Sequence, residues 1–479
     1  MSEHDEQVLS LLDTYRAHDA PTHGGRVLSY VYDSGLAELD ALAGRAAARV
    51  QAVNGLDPTT FPSVALMQAD LLSFARDVLR GAPGTSGAVT SGGTESIMLA
   101  VLAARERWRE HHPGDPRTPR VVVPSTAHAA FHKAAHYLGL QMVTVPVDPR
   151  TGTLEADRLA AHLDDATALT VASAPAYPHG VLDPVAGIAA AAAERGIPCH
   201  VDACVGGFVL PWWEGTPPWD LAVPGVTSIS ADLHKFGYAP KGASVLLLAD
   251  PALDRARYYA LTDWPGYPVV NPTVLGSRSA MSLAAAWAVV TRLGTQGYAE
   301  LTAGVARATA EVREVVDGTA GLRVVGEPTG PLLAVGTDPD VPRPEQVDPH
   351  AWAQAVAARG FVLQGQPALT QADGTVLPRT THLTLTPASA SVLDELGAAL
   401  RAGADDVRGQ AAAPVEAGGP VTDLPDPVAL ARAARESGEL DLPAVLALVE
   451  ALPRPQSARL LVDFLAAFTA PPTGRPSPD

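Results

Sequence analysis

The sequence predicts an α/β protein: a large domain around a mainly parallel sheet, followed by a smaller α+β domain toward the C-terminus. Three observations carry that expectation. Between residues 61 and 290 short β-branched runs alternate with helical patterns, the signature of crossover units. A Gly-rich turn, Thr90-Ser91-Gly92-Gly93-Thr94-Glu95-Ser96, opens one of those helices. A β-like run, Val226–Ser230, leads into His234-Lys235, in a polar segment punctuated by Gly237 and Gly242. That order puts a lysine on a loop at the sheet's carboxyl edge, where a bound cofactor is within reach.

Residues 1–60 read as an N-terminal arm with helical patches at Glu6–His18 and Leu36–Val53, separated by Pro21-Thr22-His23-Gly24-Gly25. In its loops Tyr30, Tyr32 and Asn54 are the groups able to face a ligand; surface turns and core aromatics are the plainer alternative. In the large domain, 61–290, helices are expected at Ser63–Leu79, Thr94–His111 and Leu182–Arg195. Strands are expected at Val121–Val123, Met142–Val147, Leu169–Ala172, Cys199–Ala203, Thr227–Ser230 and Ser244–Leu248. Pro211–Trp219 reads as a loop insertion, and Pro265, Pro268 and Pro272 mark a second loop after the last strand. A helix, several strands and another helix in 291–405 make the small domain, with Asp338–Pro349 a Pro-rich surface connection. The tail, 406–479, is Ala-, Gly- and Pro-rich through Gly418-Gly419-Pro420. Its amphipathic stretches Pro427–Arg435, Leu442–Leu452 and Ser457–Phe468 suit packing on the core or on a second subunit, and Pro471–Asp479 is expected to be disordered.

A chain of 479 residues with 47% hydrophobic content has room for two or three domains and a sizeable core. Aromatic residues make up only 5%, so that core leans on Ala, Val and Leu. The net charge of −18 argues against nucleic acid and anionic membrane as partners. Two cysteines, Cys199 and Cys204, cannot form a disulfide framework, which fits a reducing cytoplasm. The start, Met1-Ser2-Glu3-His4-Asp5-Glu6, is acidic and unlike a signal or transit peptide. No uncharged, Pro-free run reaches the ~18 apolar residues of a membrane span.

The lysines are the sharpest chemical signal. Of 34 basic residues only Lys133, Lys235 and Lys241 are Lys; the other 31 are Arg. Coding bias toward Arg, Ala, Gly and Pro depletes Lys everywhere, but it does not place two survivors in one Gly-punctuated turn. Arg cannot give up its proton and form an imine, whereas a partly desolvated Lys does both. Lys235 is therefore expected to be a Schiff-base lysine. The Gly-rich turn is weak evidence alone. Small residues let a backbone approach an anion, and the free N–H groups of a helix start bind phosphate.

Cys199-His200-Val201-Asp202-Ala203-Cys204 admits a metal site or a carboxylate partner for a cofactor. In a strand His200, Asp202 and Cys204 share one face while Cys199 points away, which is poor spacing for a closed tetrahedral site. No metal is expected. Ser125–Lys133 starts another helix, where a lone His such as His128 is ordinarily a surface or capping residue. Ala174-Pro175-Ala176-Tyr177-Pro178-His179-Gly180 is a rigid Pro/Gly loop; Tyr177 and His179 are candidate proton handlers there, or simply packing groups.

The segment SADLHKFGYAPKG resembles the cofactor-lysine segment of pyridoxal-phosphate enzymes in the group II decarboxylase superfamily, above all the sphingosine-1-phosphate lyases. The resemblance runs from about Gly25 to Leu400. It implies a type-I pyridoxal-phosphate transferase fold, pyridoxal 5'-phosphate joined to Lys235, and a homodimer with shared active sites. Thr90–Ser96 then matches the phosphate cup, with Gly93 and Thr94 foremost and Ser230 and His234 opposite. HVDACVGGF makes Asp202 the carboxylate that keeps the pyridinium nitrogen protonated. His128 matches the histidine that stacks on the ring, and Lys133 is structural or part of the wider site. Lys241 matches a second lysine that faces substrate or helps release product. SYVYDSG, with Tyr32, and GSRSAMS are the reaching segments. Gly276-Ser277-Arg278 matches the stretch that meets the neighbouring subunit's cofactor phosphate, although Ser279-Ala280 stand where the family often continues Pro-Gly.

One departure concerns substrate. Asn54-Gly55-Leu56-Asp57-Pro58 carries Asp57 where the lyases place a His that helps hold the substrate's phosphate. A like charge there repels phosphate by about 1 kcal/mol if exposed. The resemblance thus implies a lyase that cleaves a β-hydroxy amine, sphingosine-1-phosphate-like or unphosphorylated, to an aldehyde and an amine. An amino-acid α-decarboxylase is the alternative and shares the cofactor machinery. A non-catalytic scaffold with this fold is the third possibility, and loss of Lys235 would have favoured it.

Overall fold

In the computed structural model, residues 2–410, 426–437 and 442–471 are described. The expected connection around Gly418–Pro420 and the end of the tail beyond residue 471 lie outside them.

Val-, Ala- and Leu-rich runs build a seven-stranded sheet from β1 (Ser86–Thr90), β2 (Arg120–Pro124), β3 (Gln141–Val145), β4 (Thr167–Ser173), β5 (Cys199–Asp202), β6 (Val226–Ala231) and β7 (Ser244–Leu248). The order is β1-β7-β6-β5-β4-β2-β3. Strands β3, β2, β4, β5 and β6 are parallel, whereas β7 runs antiparallel to β6 and β1 antiparallel to β7. β4, β5 and β7 are buried at every residue, as strands covered on both faces are. The period-2 alternation is visible in β2. Val121 and Val123 pack with Ile97, Trp108 and Phe131, while Val122 joins Leu71, Ile188 and Phe208 in the other core.

The cover comes from helices Pro62–Val78, Gly93–His111, Ala129–Leu138 and Val185–Ala193. A hairpin, β8 (Tyr259–Leu261) and β9 (Val269–Asn271), brackets the loop expected at Pro265 and Pro268. Pro211 lies in a short 3-10 turn, Leu210–Trp212, at the start of the expected insertion.

Helix Met281–Asp317, broken at Gly294 (φ 54°), leads from the large sheet to a second layer, and the expected boundary at residue 290 falls within it. That layer is a four-stranded sheet of β10 (Leu322–Val324), β11 (Leu332–Thr337), β12 (Gln364–Gln366) and β15 (Thr380–Thr384), ordered β10-β11-β15-β12; a small hairpin, β13 (Leu369–Thr370) and β14 (Val376–Leu377), lies between β12 and β15 in sequence. Helices Pro349–Ala357 and Leu393–Val407 pack together beside it. The tail forms helices Pro427–Ser437, Leu442–Ala451 and Arg454–Thr469, and the middle one packs on β12. Glu450 fastens it, pairing with Arg379 and accepting from the Ala368 amide at 2.9 Å.

Candidate active site

Parallel connections bring the carboxyl ends of β4, β5 and β6 to one edge of the sheet, and a cavity of about 360 Å³ opens there. Seven of the residues expected from sequence line it: Gly93, Thr94, His128, Tyr177, Asp202, His234 and Lys235. A larger cavity, about 470 Å³, lies beside Thr167, Pro198 and Thr227 at the strands' amino ends and holds none of them. The residues expected from sequence gather at the carboxyl edge.

Lys235 follows β6 after a short turn, and its Nζ lies 3.1 Å from Asp232 Oδ2. Burial pulls the lysine's pKa down, but attraction from Asp232, with Cys204, Tyr32 and Asp202 adding, outweighs it and the net effect is upward. His234 Nδ1 accepts from the amides of Gly242 (3.3 Å) and Ala243 (3.2 Å). Its Nε2, 3.5 Å from Asp232 Oδ2, therefore carries the ring proton. The loop is tied down from behind: the buried Tyr298 on the long helix donates to the Gly237 carbonyl at 2.9 Å and stacks on Trp212 at 5.3 Å.

The Gly-rich turn starts helix Gly93–His111, and the first intrahelical donors are Glu95 and Ser96, both to Gly92 O. The amides of Gly93 and Thr94 precede them and belong to the orphan set of a helix start. A Cβ at Gly93 would stand 2.6 Å from Cys204 Sγ and 2.9 Å from both Asp232 oxygens, so only glycine fits. Glu95 holds the turn in place; its Oε2 accepts from Ser91 N (2.6 Å) and its Oε1 from Val274 N (2.8 Å).

Asp202 ends β5, and its Oδ1 accepts from Cys204 N at 3.1 Å. Ser230 sits behind it: its Oγ meets His200 Nε2 at 3.1 Å and accepts from Cys204 Sγ at 3.3 Å. Burial pushes His200 down to about 4, so it is neutral. Asp183 is buried beside this group, with its Oδ2 accepting from Ser173 N at 2.7 Å, and burial raises its carboxyl to about 7.

His128 caps helix Ala129–Leu138, its Nδ1 accepting from Ala130 N at 3.2 Å, while its ring faces the cavity. Tyr177 donates to Gln364 Oε1 at 2.6 Å and stacks on His382 at 4.3 Å. His179 is buried away from the cavity lining; burial pushes it down to about 4. Lys241 and Tyr32 are not among the cavity's lining residues; Lys241 donates to the carbonyl of the lining residue His234 at 3.1 Å, with its Nζ 4.6 Å from the Tyr32 ring centroid. Partial burial and then the charge of Lys235 lower it to about 8. Tyr32 meets Phe236 edge-on at 5.2 Å, and burial raises its phenol.

Ser277 and Arg278 lie apart from this cavity, against the Asn54 turn. Asn54 Nδ2 donates to Ser277 Oγ at 3.3 Å, and Arg278 donates to Gly55 O (3.3 Å) and Val89 O (3.1 Å). Asp57 is exposed and accepts from Thr59 and Thr60, which lowers its carboxyl to about 2.

Sequence reasoning passed over Glu95 and Asp232, although both lie inside the motifs named above, and weighed Cys204 only as a metal ligand. For Asp232 the signal was its three-residue spacing from Lys235. Gln364 had no sequence signal.

Residues 28–334 match the pyridoxal-dependent decarboxylase conserved domain. The sphingosine-1-phosphate lyase of Dictyostelium discoideum is 38% identical over 291 residues, 60% of this chain and 54% of that protein. The Saccharomyces cerevisiae lyase is 31% identical over 395 residues, 81% of this chain and 64% of that one. This chain thus spans between about half and two thirds of those relatives' length. Among solved structures, a Burkholderia pseudomallei sphingosine-1-phosphate lyase superposes with TM-score 0.77 at 32% identity, covering 84% of this chain and 91% of that one. Lactobacillus brevis glutamate decarboxylase shares the fold at TM-score 0.74 and 18% identity.

The family implies pyridoxal phosphate, and the residues suit it. A glycine cradle with free helix-start amides accepts a phosphate. A strand-end carboxylate and a nearly buried lysine amine complete the complement for a pyridine aldehyde. The chain belongs to the pyridoxal-dependent decarboxylase family, as a sphingosine-1-phosphate-lyase-like member.

Proposed function

We propose that this chain is a pyridoxal-phosphate-dependent carbon–carbon lyase that cleaves a β-hydroxy amine to an aldehyde and an amine. The single observation that carries the reading is the convergence of Lys235, Asp202, His128 and the Gly93-Thr94 turn on one cavity, in a chain similar to sphingosine-1-phosphate lyases. When bound, the cofactor supplies an electron sink for the bond broken at the substrate's Cα. Lys235 would be its attachment point. Asp202 would keep the ring nitrogen protonated, His128 would stack on the ring, and Gly93, Thr94 and His234 would hold the phosphate, whereas Ser230, expected there from sequence, lies off the cavity lining and supports Asp202 from behind. Tyr177, with His179 behind its loop, orients the β-hydroxyl by accepting a hydrogen bond from it, while the amine of Lys235, neutral once the substrate amine has taken its place, takes the hydroxyl proton and returns one to Cα. Lys241 and Tyr32 hold the head group.

The working unit in this proposal is a homodimer with composite sites. Ser277 and Arg278 sit outside their own chain's cavity, which favours service to the partner's cofactor phosphate. The helix Glu3–Arg16 also exposes Val8, Leu9, Leu11 and Leu12, an apolar face suited to a second copy. No described helix is long and apolar enough to cross a membrane. Two free, buried cysteines suit a cytoplasmic setting. Asp57 favours weaker dependence on a substrate phosphate than in the family at large, and Asp57→His should lower KM for a phosphorylated substrate with little change in kcat.

The decarboxylase reading rests on the matched conserved domain. One panel separates the two: phosphorylated and unphosphorylated amino alcohols and amino acids, assayed for aldehyde and carbon dioxide. Aldehyde from a β-hydroxy amine is the expected result; carbon dioxide from an amino acid would overturn it.

A further inference from the structure

Three segments far apart in sequence meet at one amide. Gln364 opens β12 and is the register partner of His382 on β15. Directly paired residues on antiparallel strands present neighbouring side chains, and these two grip one aromatic between them. His382 stacks on the Tyr177 ring at 4.3 Å, and Gln364 Oε1 accepts the Tyr177 hydroxyl proton at 2.6 Å. The other end of the same amide, Nε2, donates to the Tyr30 hydroxyl at 2.8 Å.

Tyr30 is in an unusual state. Its φ is +61°, and Val31 N donates back to Ser29 O at 2.7 Å, a γ-turn of the rare, strained kind. The side chain is 67% exposed, so packing does not hold it there. The flanking backbone does: Leu28 N donates to Val362 O (2.9 Å), and Leu28 O accepts from Thr384 N (2.7 Å), which lays the arm beside β12 and β15. Strain held against an exposed bulky residue is the kind found where a side chain is aimed at a ligand.

We infer that Gln364 is a positioning residue of the active site, fixing Tyr177 as an acceptor inside the cavity and Tyr30 as a donor on its solvent side. The proton directions follow from the amide. Tyr177 has committed its proton to Gln364, so its remaining lone pair faces the cavity ready to accept from a substrate hydroxyl. Tyr30 has accepted from Gln364, so its own proton is free for an acceptor-bearing substrate group outside. Hydrogen bonds in such a chain polarise one another in one direction. The bridge therefore selects a substrate with a hydroxyl donor at the reacting end and an acceptor group further out. This rests on the proposal that Tyr177 works on the substrate.

The test uses the loaded enzyme with Gln364→Leu, Gln364→Glu, Tyr30→Phe and Tyr177→Phe, and 3-fluorotyrosine at position 177 read by fluorine NMR. Gln364→Leu should lower kcat/KM about tenfold, the scale of one lost hydrogen bond in a closed site, with cofactor absorbance and Tm little changed. Gln364→Glu keeps the acceptor for Tyr177 and should restore kcat, while the reversed partner for Tyr30 leaves KM raised. Combined with Tyr177→Phe or Tyr30→Phe, Gln364→Leu should add far less than its own factor. The fluorine resonance should move with Gln364→Leu whatever the substrate. Independent, multiplying losses, or an unmoved resonance, would overturn the inference. If wild type releases carbon dioxide instead of aldehyde, the lyase reading fails, and the same cycles on the amino acid decide this one.

Discussion

Asp232 Oδ2 lies 3.1 Å from Lys235 Nζ, with the two side chains only 2% and 19% exposed. A carboxylate so well shielded holds the amine as ammonium, the form that cannot attack an aldehyde. Asp232→Asn removes that hold and leaves burial to favour the neutral amine. Apo protein carrying Asp232→Asn should take up pyridoxal phosphate about tenfold faster for each pH unit by which the lysine pKa falls. The growth of imine absorbance with time, measured from pH 6 to 9, checks this, and Lys235→Ala should show no such absorbance. A label trapped by borohydride on Lys241 or Lys133 would refute the attachment.

Lys241 should set an alkaline limit on binding. Burial and Lys235 hold its pKa at about 8, so it is a cation below that pH and neutral above. KM for an anionic substrate should therefore rise as pH passes upward through 8, with kcat little affected. Lys241→Arg keeps its charge throughout and should flatten the rise, because guanidinium does not titrate there. Lys241→Ala should show the high KM at every pH.

Asp183 makes stability depend on pH in the less common direction. Its carboxyl is raised from 3.8 to about 7 by burial. Across that window the folded protein keeps a proton that the unfolded chain has released, so stability falls as pH rises. A rise of that size is worth roughly 4 kcal/mol at most. Asp183→Asn can still accept from Ser173 N and should flatten the profile, raising Tm relative to wild type at pH 8 but not at pH 4. Calorimetry at the two pH values decides it.

The proposed composite sites predict complementation. Lys235→Ala and Arg278→Ala chains should each be inactive alone. Mixed and refolded in equal amounts, about half the dimers are heterodimers with one intact site of two, so about a quarter of the activity should return. A monomer fully active in dilute solution would overturn the shared site.

Strands β2 to β7 were legible because strands of a sheet covered on both faces read as short aliphatic and β-branched runs bounded by turns. Strand β1, Ser-Gly-Ala-Val-Thr, was not. Gly87 is there because a Cβ would fall 1.9 Å from Leu246 O, a demand set by the neighbouring strand and invisible in a local pattern. Pro265 and Pro268 concealed a hairpin for a related reason: β8 and β9 have three residues each, too few for alternation to show. The candidate site was more legible than the fold, since a rare lysine, a strand-end aspartate and a Gly-rich turn are chemically distinctive. Gln364 is common in type, and its position matters only once β12 has paired with β15.

Tyr298 reaches from the long helix to the Gly237 carbonyl two residues beyond Lys235, from a fully buried ring. Surface loops ordinarily exchange their amide hydrogens through small local openings. Here the loop cannot open without pulling a tyrosine out of the aromatic cluster it shares with Phe208, Trp212 and Tyr238. The Tyr238 amide, which donates to Lys235 O at 2.9 Å, should accordingly exchange at the rate of whole-domain unfolding. The segment that carries Lys235 would then be among the slowest to meet solvent deuterium, and Tyr298→Phe should release that protection without touching the cavity.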